Sequence, residues 1–161
     1  MPEQLAEKIL NKIDQASGLY HRLIIVAAPS GSGKTAALKH VSEKIGQAFI
    51  NVNLEISRRM LDLTIRQRIL QLPKLLQELI EDNGNDIVIL DNIEILFDLN
   101  LKQDPLRLLQ SFSRNKTIIA AWNGGIEKGQ LNYAVSSHPE FRRYPIDEYI
   151  VIGNENPGMQ E

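Results

Sequence analysis

The chemistry-bearing residues begin in one short stretch, Ala27-Ala28-Pro29-Ser30-Gly31-Ser32-Gly33-Lys34-Thr35, which follows directly on the apolar run Leu23-Ile24-Ile25-Val26. Residues 28–35 fit the Walker A pattern, with Ala28 where the first glycine usually stands. Small residues from Pro29 through Ser30, Gly31, Ser32 and Gly33 allow main-chain N–H groups to turn inward on phosphate oxygens. A helix opening at Lys34, Thr35 and Ala36 would add its positive N-terminal end. Lys34 has the reach for the outer phosphates, and the Thr35 hydroxyl suits Mg²⁺. The pattern therefore implies ATP or another nucleoside triphosphate, with Mg²⁺.

A second acidic motif lies downstream. In Asp86-Ile87-Val88-Ile89-Leu90-Asp91, four apolar residues precede a carboxylate. This is the form of a Walker B strand, whose terminal acid faces the phosphate loop and helps hold Mg²⁺. The expected metal-holding pair is thus Thr35 and Asp91.

The elements that must position these groups alternate along the chain. Leu5, Ile9 and Ile13 are spaced as one face of a helix over 3–16. Strands are expected at 23–27, 48–52, 86–90, 117–122 and 149–152. A helix over 34–45 should end at Gly46. Residues 57–82 read as a broken helix, with Pro73 in the first turn of its second piece and a stop at Asn83-Gly84. Asp104-Pro105 reads as a cap and first helical residue, opening a helix to about Phe112. Residues 126–143 are irregular and are expected to hold one short helix. Unbroken aliphatic strands between helices predict a parallel sheet covered on both faces. The expected fold is α/β: a three-layer P-loop NTPase fold with a five-stranded, mostly parallel sheet. One domain is expected over 1–153, with a loose polar tail over 154–161.

A full strand unit lies between the two phosphate-site strands, and a further strand ends in Trp122-Asn123. This resembles the additional-strand class of P-loop ATPases, and the AAA+ family in particular. The resemblance implies that Asn123 reads the γ-phosphate and orients water through its amide. It also implies that Arg142 or Arg143 reaches a neighbouring protomer's site as a finger. Two departures are visible. The glutamate that AAA+ proteins carry after the Walker B aspartate is Asn92 here, and an amide cannot accept a proton from water. Glu94 is the nearby substitute base, provided that the chain turns it inward. The sequence also ends about nine residues after its last strand, so an AAA+-like core without a helical lid is expected.

"APSGSGKT", "LDNIEILF", "AAWNG" and "LNYAVSSHPEFRRY" together resemble the small P-loop proteins (BrxF) of BREX phage-defence systems of the third type. That resemblance implies a bacterial cytoplasmic protein that works as an oligomer or with larger ATPase and defence-complex partners. It also implies slow or assembly-dependent hydrolysis. By family analogy, Tyr20 and His21 would flank adenine.

Composition narrows the alternatives. The chain has 161 residues, a net charge of −2 and no cysteine. Disulfides and thiolate metal sites are excluded. Bulk charge gives no argument for DNA, although Arg58, Arg59, Arg66 and Arg68 could touch phosphates on what is otherwise a solvated face. No apolar run is long enough to span a membrane. Two rival readings stay open. A small-molecule or nucleotide kinase would use Asn51, Asn53 and Glu55 to hold substrate and would set its two phosphate-site strands side by side. A nucleotide-gated interaction protein would bind ATP without turnover.

Overall fold

In the computed structural model, residues 2–81, 86–134 and 140–153 are described. The expected helix stop at Asn83-Gly84, and the tail over 154–161, lie outside them.

Strands β1 (Leu23–Ala28), β2 (Ala48–Asn51), β3 (Ile87–Asp91), β4 (Thr117–Glu127) and β7 (Ile150–Ile152) lie in the order β2-β3-β4-β1-β7. All four pairings along this path are parallel. Side chains alternate between faces, and both faces are filled. Leu23, Ile25 and Ala27 join one core, while Ile24 and Val26 join the other. The second core is closed by α1 (Pro2–Ser17) and α2 (Lys34–Ile45). The first is closed by α3 (Val52–Arg59), α4 (Ile65–Glu81) and α5 (Pro105–Phe112). Ala37, Leu38 and Val41 bury one side of α2, as their spacing predicts. Asp104 caps α5 by accepting from the Arg107 N–H at 3.3 Å.

Three expectations are corrected. First, β2 ends at Asn51, whose side chain accepts from the Leu54 N–H at 3.0 Å and starts α3 at Val52. Second, α4 runs straight through Pro73. Proline lacks an N–H and leaves the carbonyl four residues earlier without its helical donor. That carbonyl belongs to Ile69, and Gln103 Nε2 donates to it at 3.0 Å. The real break lies at 60–64. There Thr64 and Gln67 form a reciprocal capping box, with bonds of 2.9 and 3.2 Å.

Third, 126–143 holds no described helix. β4 continues to Glu127 and folds back into β5 (Gln130–Tyr133), which pairs with β6 (Arg142–Pro145). Both new pairings are antiparallel. A Cβ on Gly124 would fall 1.8 Å from the Asn132 carbonyl oxygen. Glycine there permits the close approach of β5 and does not mark a turn.

Candidate nucleotide site

The loop after β1 takes the shape that its glycines allow. Gly31 and Gly33 have φ of 81° and 95°, a region that side chains with a Cβ resist. The Ser32 N–H bonds the Pro29 carbonyl at 3.3 Å, and the Ala37 N–H bonds the Gly33 carbonyl at 3.1 Å. The first N–H groups of α2 have no carbonyl partners within the helix, which leaves them available to an anion. Pro29, Ser30, Thr35 and Ala36 are exposed around the loop.

Lys34 begins α2 and is only 6% exposed. Its Nζ donates to the carbonyls of Ala28 at 2.6 Å and Pro29 at 2.8 Å. Burial holds its pKa below the usual lysine value, and the charges of Asp91 and Glu94 oppose that shift. The ammonium is thus bonded to the loop and also feels the two carboxylates.

The Thr35 hydroxyl donates to Asp91 Oδ2 at 2.7 Å, bringing the two expected metal-holding oxygens together. Asp91 ends β3 and is 3% exposed. A hard cation favours such oxygen donors. The loop, the ammonium and this oxygen pair fit a nucleoside triphosphate with Mg²⁺.

The chain leaves the strand immediately after Asp91. Asn92 adopts φ of 51°, a left-handed conformation that asparagine tolerates. Its carbonyl accepts the Asn53 N–H at 2.8 Å, tying the turn to α3. Strand alternation therefore does not govern Glu94, which opens a 3-10 turn over Glu94–Phe97. Glu94 is half-buried. Burial pushes its carboxyl above the ordinary glutamate range. The Glu94 N–H opposes that shift, Asp91 adds to it and Lys34 opposes it. Glu94 thus lies within electrostatic reach of both Lys34 and Asp91.

Asn123 occupies the point where β4 changes partners. It is paired with Ala28 at the root of the phosphate loop, and the next residue, Gly124, already pairs with Tyr133 of β5. Its carbonyl accepts the Ala134 N–H at 2.8 Å. Asn123 is a strand residue beside the loop rather than a turn former.

Arg142 and Arg143 lie on β6, and Arg142 meets the chain just before the start of α5. Arg142 donates from Nη2 to the Gln103 carbonyl at 3.0 Å, and its Nε is buried without a partner among the described residues. Arg143 is more open, with its side chain 48% exposed and Nη2 4.0 Å from Glu127. Its Nε bonds Asn132 Oδ1 at 3.3 Å.

Tyr20 and His21 sit at the opposite edge of the sheet. His21 Nδ1 lies 2.9 Å from the Gln110 carbonyl, and Tyr20 packs under Arg114 at 4.7 Å. Both contacts lie at the entry to β1 and β4, whereas the phosphate loop lies at the exit of β1. They cannot flank a base whose phosphates rest on that loop. Sequence reasoning also passed over Phe97 and Tyr133, whose rings stack beneath the Glu94 turn. The available signal was Phe97, three residues after Glu94 and at the end of an apolar run.

The strand order argues against the kinase arrangement. β4 lies between β1 and β3, so the two phosphate-site strands are not adjacent. Asn51 caps α3, Asn53 bonds Asn92, and Glu55 lies 3.7 Å from both Arg58 and Arg59.

No helix among the described residues is long and apolar enough to cross a membrane. No curated protein matches the chain. Among solved structures, C. elegans PCH-2 is similar over 76% of this chain and 34% of its own, at 20% identity and a TM-score of 0.35. The chain therefore spans about a third of that protein's length. The model of the ATPase family associated with various cellular activities (AAA) matches residues 24–121, which run from β1 into β4 and take in the phosphate loop and Asp91. The chain belongs to this AAA family, and its fold is a nucleotide-binding ATPase core.

Proposed function

We propose that this module binds ATP with Mg²⁺ and hydrolyses it slowly alone and faster when assembled. The observation that carries the reading is the convergence of Lys34 and the Thr35–Asp91 pair on the phosphate loop, with Glu94 on the turn that follows Asp91. Main-chain N–H groups of residues 30–36 and the Lys34 ammonium hold the phosphates. Thr35 and Asp91 hold Mg²⁺, which neutralises charge on the outer phosphates. Glu94 accepts a proton from the attacking water as its oxygen bonds the γ-phosphorus. The bond from that phosphorus to the bridging oxygen breaks, and ADP and phosphate leave. Burial raises the basicity of Glu94, which favours its taking a proton. Asn92 and Asn123 orient the water and the γ-phosphate through their amides.

Arg143 is the better finger of the two arginines, because its side chain is 48% exposed and its contacts are long, while Arg142 is built into the fold. Its target is a second copy of this chain or a larger ATPase. The resemblance to small phage-defence P-loop proteins supports a cytoplasmic role in a bacterial defence complex. Nothing in the net charge of −2 favours DNA as the direct ligand.

Phosphate release from ATP, followed across a range of protein concentrations, tests the reading. Release per protomer should rise with concentration and should not need a phosphoryl acceptor. ADP release that depends on an added acceptor would replace this reading with a kinase. Tight ATP–Mg²⁺ binding with no release at any concentration would leave a nucleotide-gated interaction protein.

A further inference from the structure

Glu94 stands on a 3-10 turn of only four residues, Glu94–Phe97. Such turns hold themselves weakly, and their orientation is set by what they pack against. This one closes with the Leu96 N–H on the Ile93 carbonyl at 2.9 Å and the Asp98 N–H on the Ile95 carbonyl at 3.2 Å. Its far end is pinned by aromatic rings. Phe97 lies flat on Tyr133, with ring centres 3.4 Å apart and planes within 5°. Trp122 meets Phe97 edge-on at 5.1 Å and Tyr133 edge-on at 5.7 Å. Trp122 and Phe97 are fully buried, and Tyr133 is 4% exposed. Trp122 Nε1 donates to the Asn132 carbonyl at 3.0 Å, locking the cluster to β5.

We propose that Tyr133 is a positioning residue for hydrolysis: by clamping Phe97 it fixes the 3-10 turn that carries Glu94. The inference rests on the reading of Glu94 as the group that takes the proton from water. Tyr133 reaches this place only because β4 outruns the parallel sheet and Gly124 lets β5 close on it. Burial pushes the pKa of the Tyr133 hydroxyl upward, and the Glu94 charge adds to the shift. The antiparallel extension thereby gives the site a support that compensates for moving the carboxylate off the residue after Asp91. A misplacement of about 1 Å in a reacting group can cost on the order of a hundredfold in rate. An aromatic clamp on a short turn is therefore a rate determinant.

The test is a double-mutant cycle on Lys34-dependent turnover, with ATP binding measured in parallel. Tyr133→Leu should lower kcat on the order of tenfold while leaving KM and ATP affinity unchanged. Tyr133→Phe, which keeps the stacked ring, should restore turnover to near wild type. In a Glu94→Gln background, Tyr133→Leu should cost nothing further, because the group that it positions is gone. An equal loss in both backgrounds, or wild-type kcat in Tyr133→Leu, would overturn the proposal while leaving the ATPase reading intact. Absence of any Lys34-dependent turnover in the wild type would overturn both. If Tyr133→Leu does not fold, Phe97→Leu enters the same cycle from the other side of the stack, with the same expected and contrary results.

Discussion

The phosphate loop and the antiparallel hairpin that extends β4 handle charge in opposite ways. At the phosphate loop, Lys34 is 6% exposed, bonds two carbonyls of its own loop, and feels the charges of Asp91 and Glu94. On the hairpin, the Arg143 side chain is 48% exposed and held by long contacts, Nη2 4.0 Å from Glu127 and Nε 3.3 Å from Asn132 Oδ1. A buried cation with several short bonds is fixed in place and serves a ligand that comes to it. An exposed cation with long bonds can be given up to a partner at little cost, because surface pairs are worth about 0–1 kcal/mol. Arg142, one residue away, belongs with the first kind through its bond to Gln103. The difference teaches that neighbouring arginines on one strand can have separate jobs, one holding the hairpin down and one facing outward.

The largest expected effect comes from removing the outward-facing charge. Arg143→Ala should leave ATP binding and folding unchanged, yet lower turnover of the assembled protein by about a thousandfold, the lower end for an arginine finger. The check is phosphate release at high protein concentration. Turnover that is independent of concentration and survives the change would remove the distinction between the two arginines.

At the phosphate loop, Asp91→Ala should weaken Mg²⁺-dependent ATP affinity by about tenfold, the loss of one charged ligand contact. Titration with Mg²⁺ at fixed ATP reads this directly. An unchanged titration would mean that the Thr35–Asp91 pair is structural only.

Arg142→Ala should act on stability, costing about 1–3 kcal/mol as a charged hydrogen bond to the Gln103 carbonyl is lost. Chemical denaturation checks it, and a change in turnover without a change in stability would contradict the assignment. The smallest effect on stability belongs to Glu94→Gln. The folded state raises the pKa of this carboxyl, so its ionisation works against folding, and the penalty appears as pH rises through the folded-state value. The variant should gain in thermal stability relative to wild type at pH 8, and the gain should vanish toward pH 4. A gain that persists unchanged at low pH would point to packing instead of charge.

Much of the phosphate-loop region was legible in the sequence because its signals are local. The glycines, Lys34 and Thr35 are contiguous, and Asp91 closes an apolar run. The hairpin was not legible, because its signals are contacts between distant residues. Gly124-Gly125 reads as a turn until Asn132 is brought against it, and Gly124 then proves to be a point of close approach. Pro73 reads as a helix start until Gln103, thirty residues on, supplies the donor that the Ile69 carbonyl lacks. The Thr64–Gln67 capping box was present in the sequence and marked the true break, but the proline was the louder signal. Glu94 was named as a candidate, yet its direction depended on the left-handed turn at Asn92 and on the Phe97–Tyr133 stack.

Calorimetric titration of ATP–Mg²⁺ into the wild-type protein and Lys34→Ala tests the cradle itself. The wild type should bind one ATP per chain, with affinity falling by about a hundredfold in the variant as two to three kcal/mol of charged contact is lost. Equal affinity in the two proteins would contradict the account at its root.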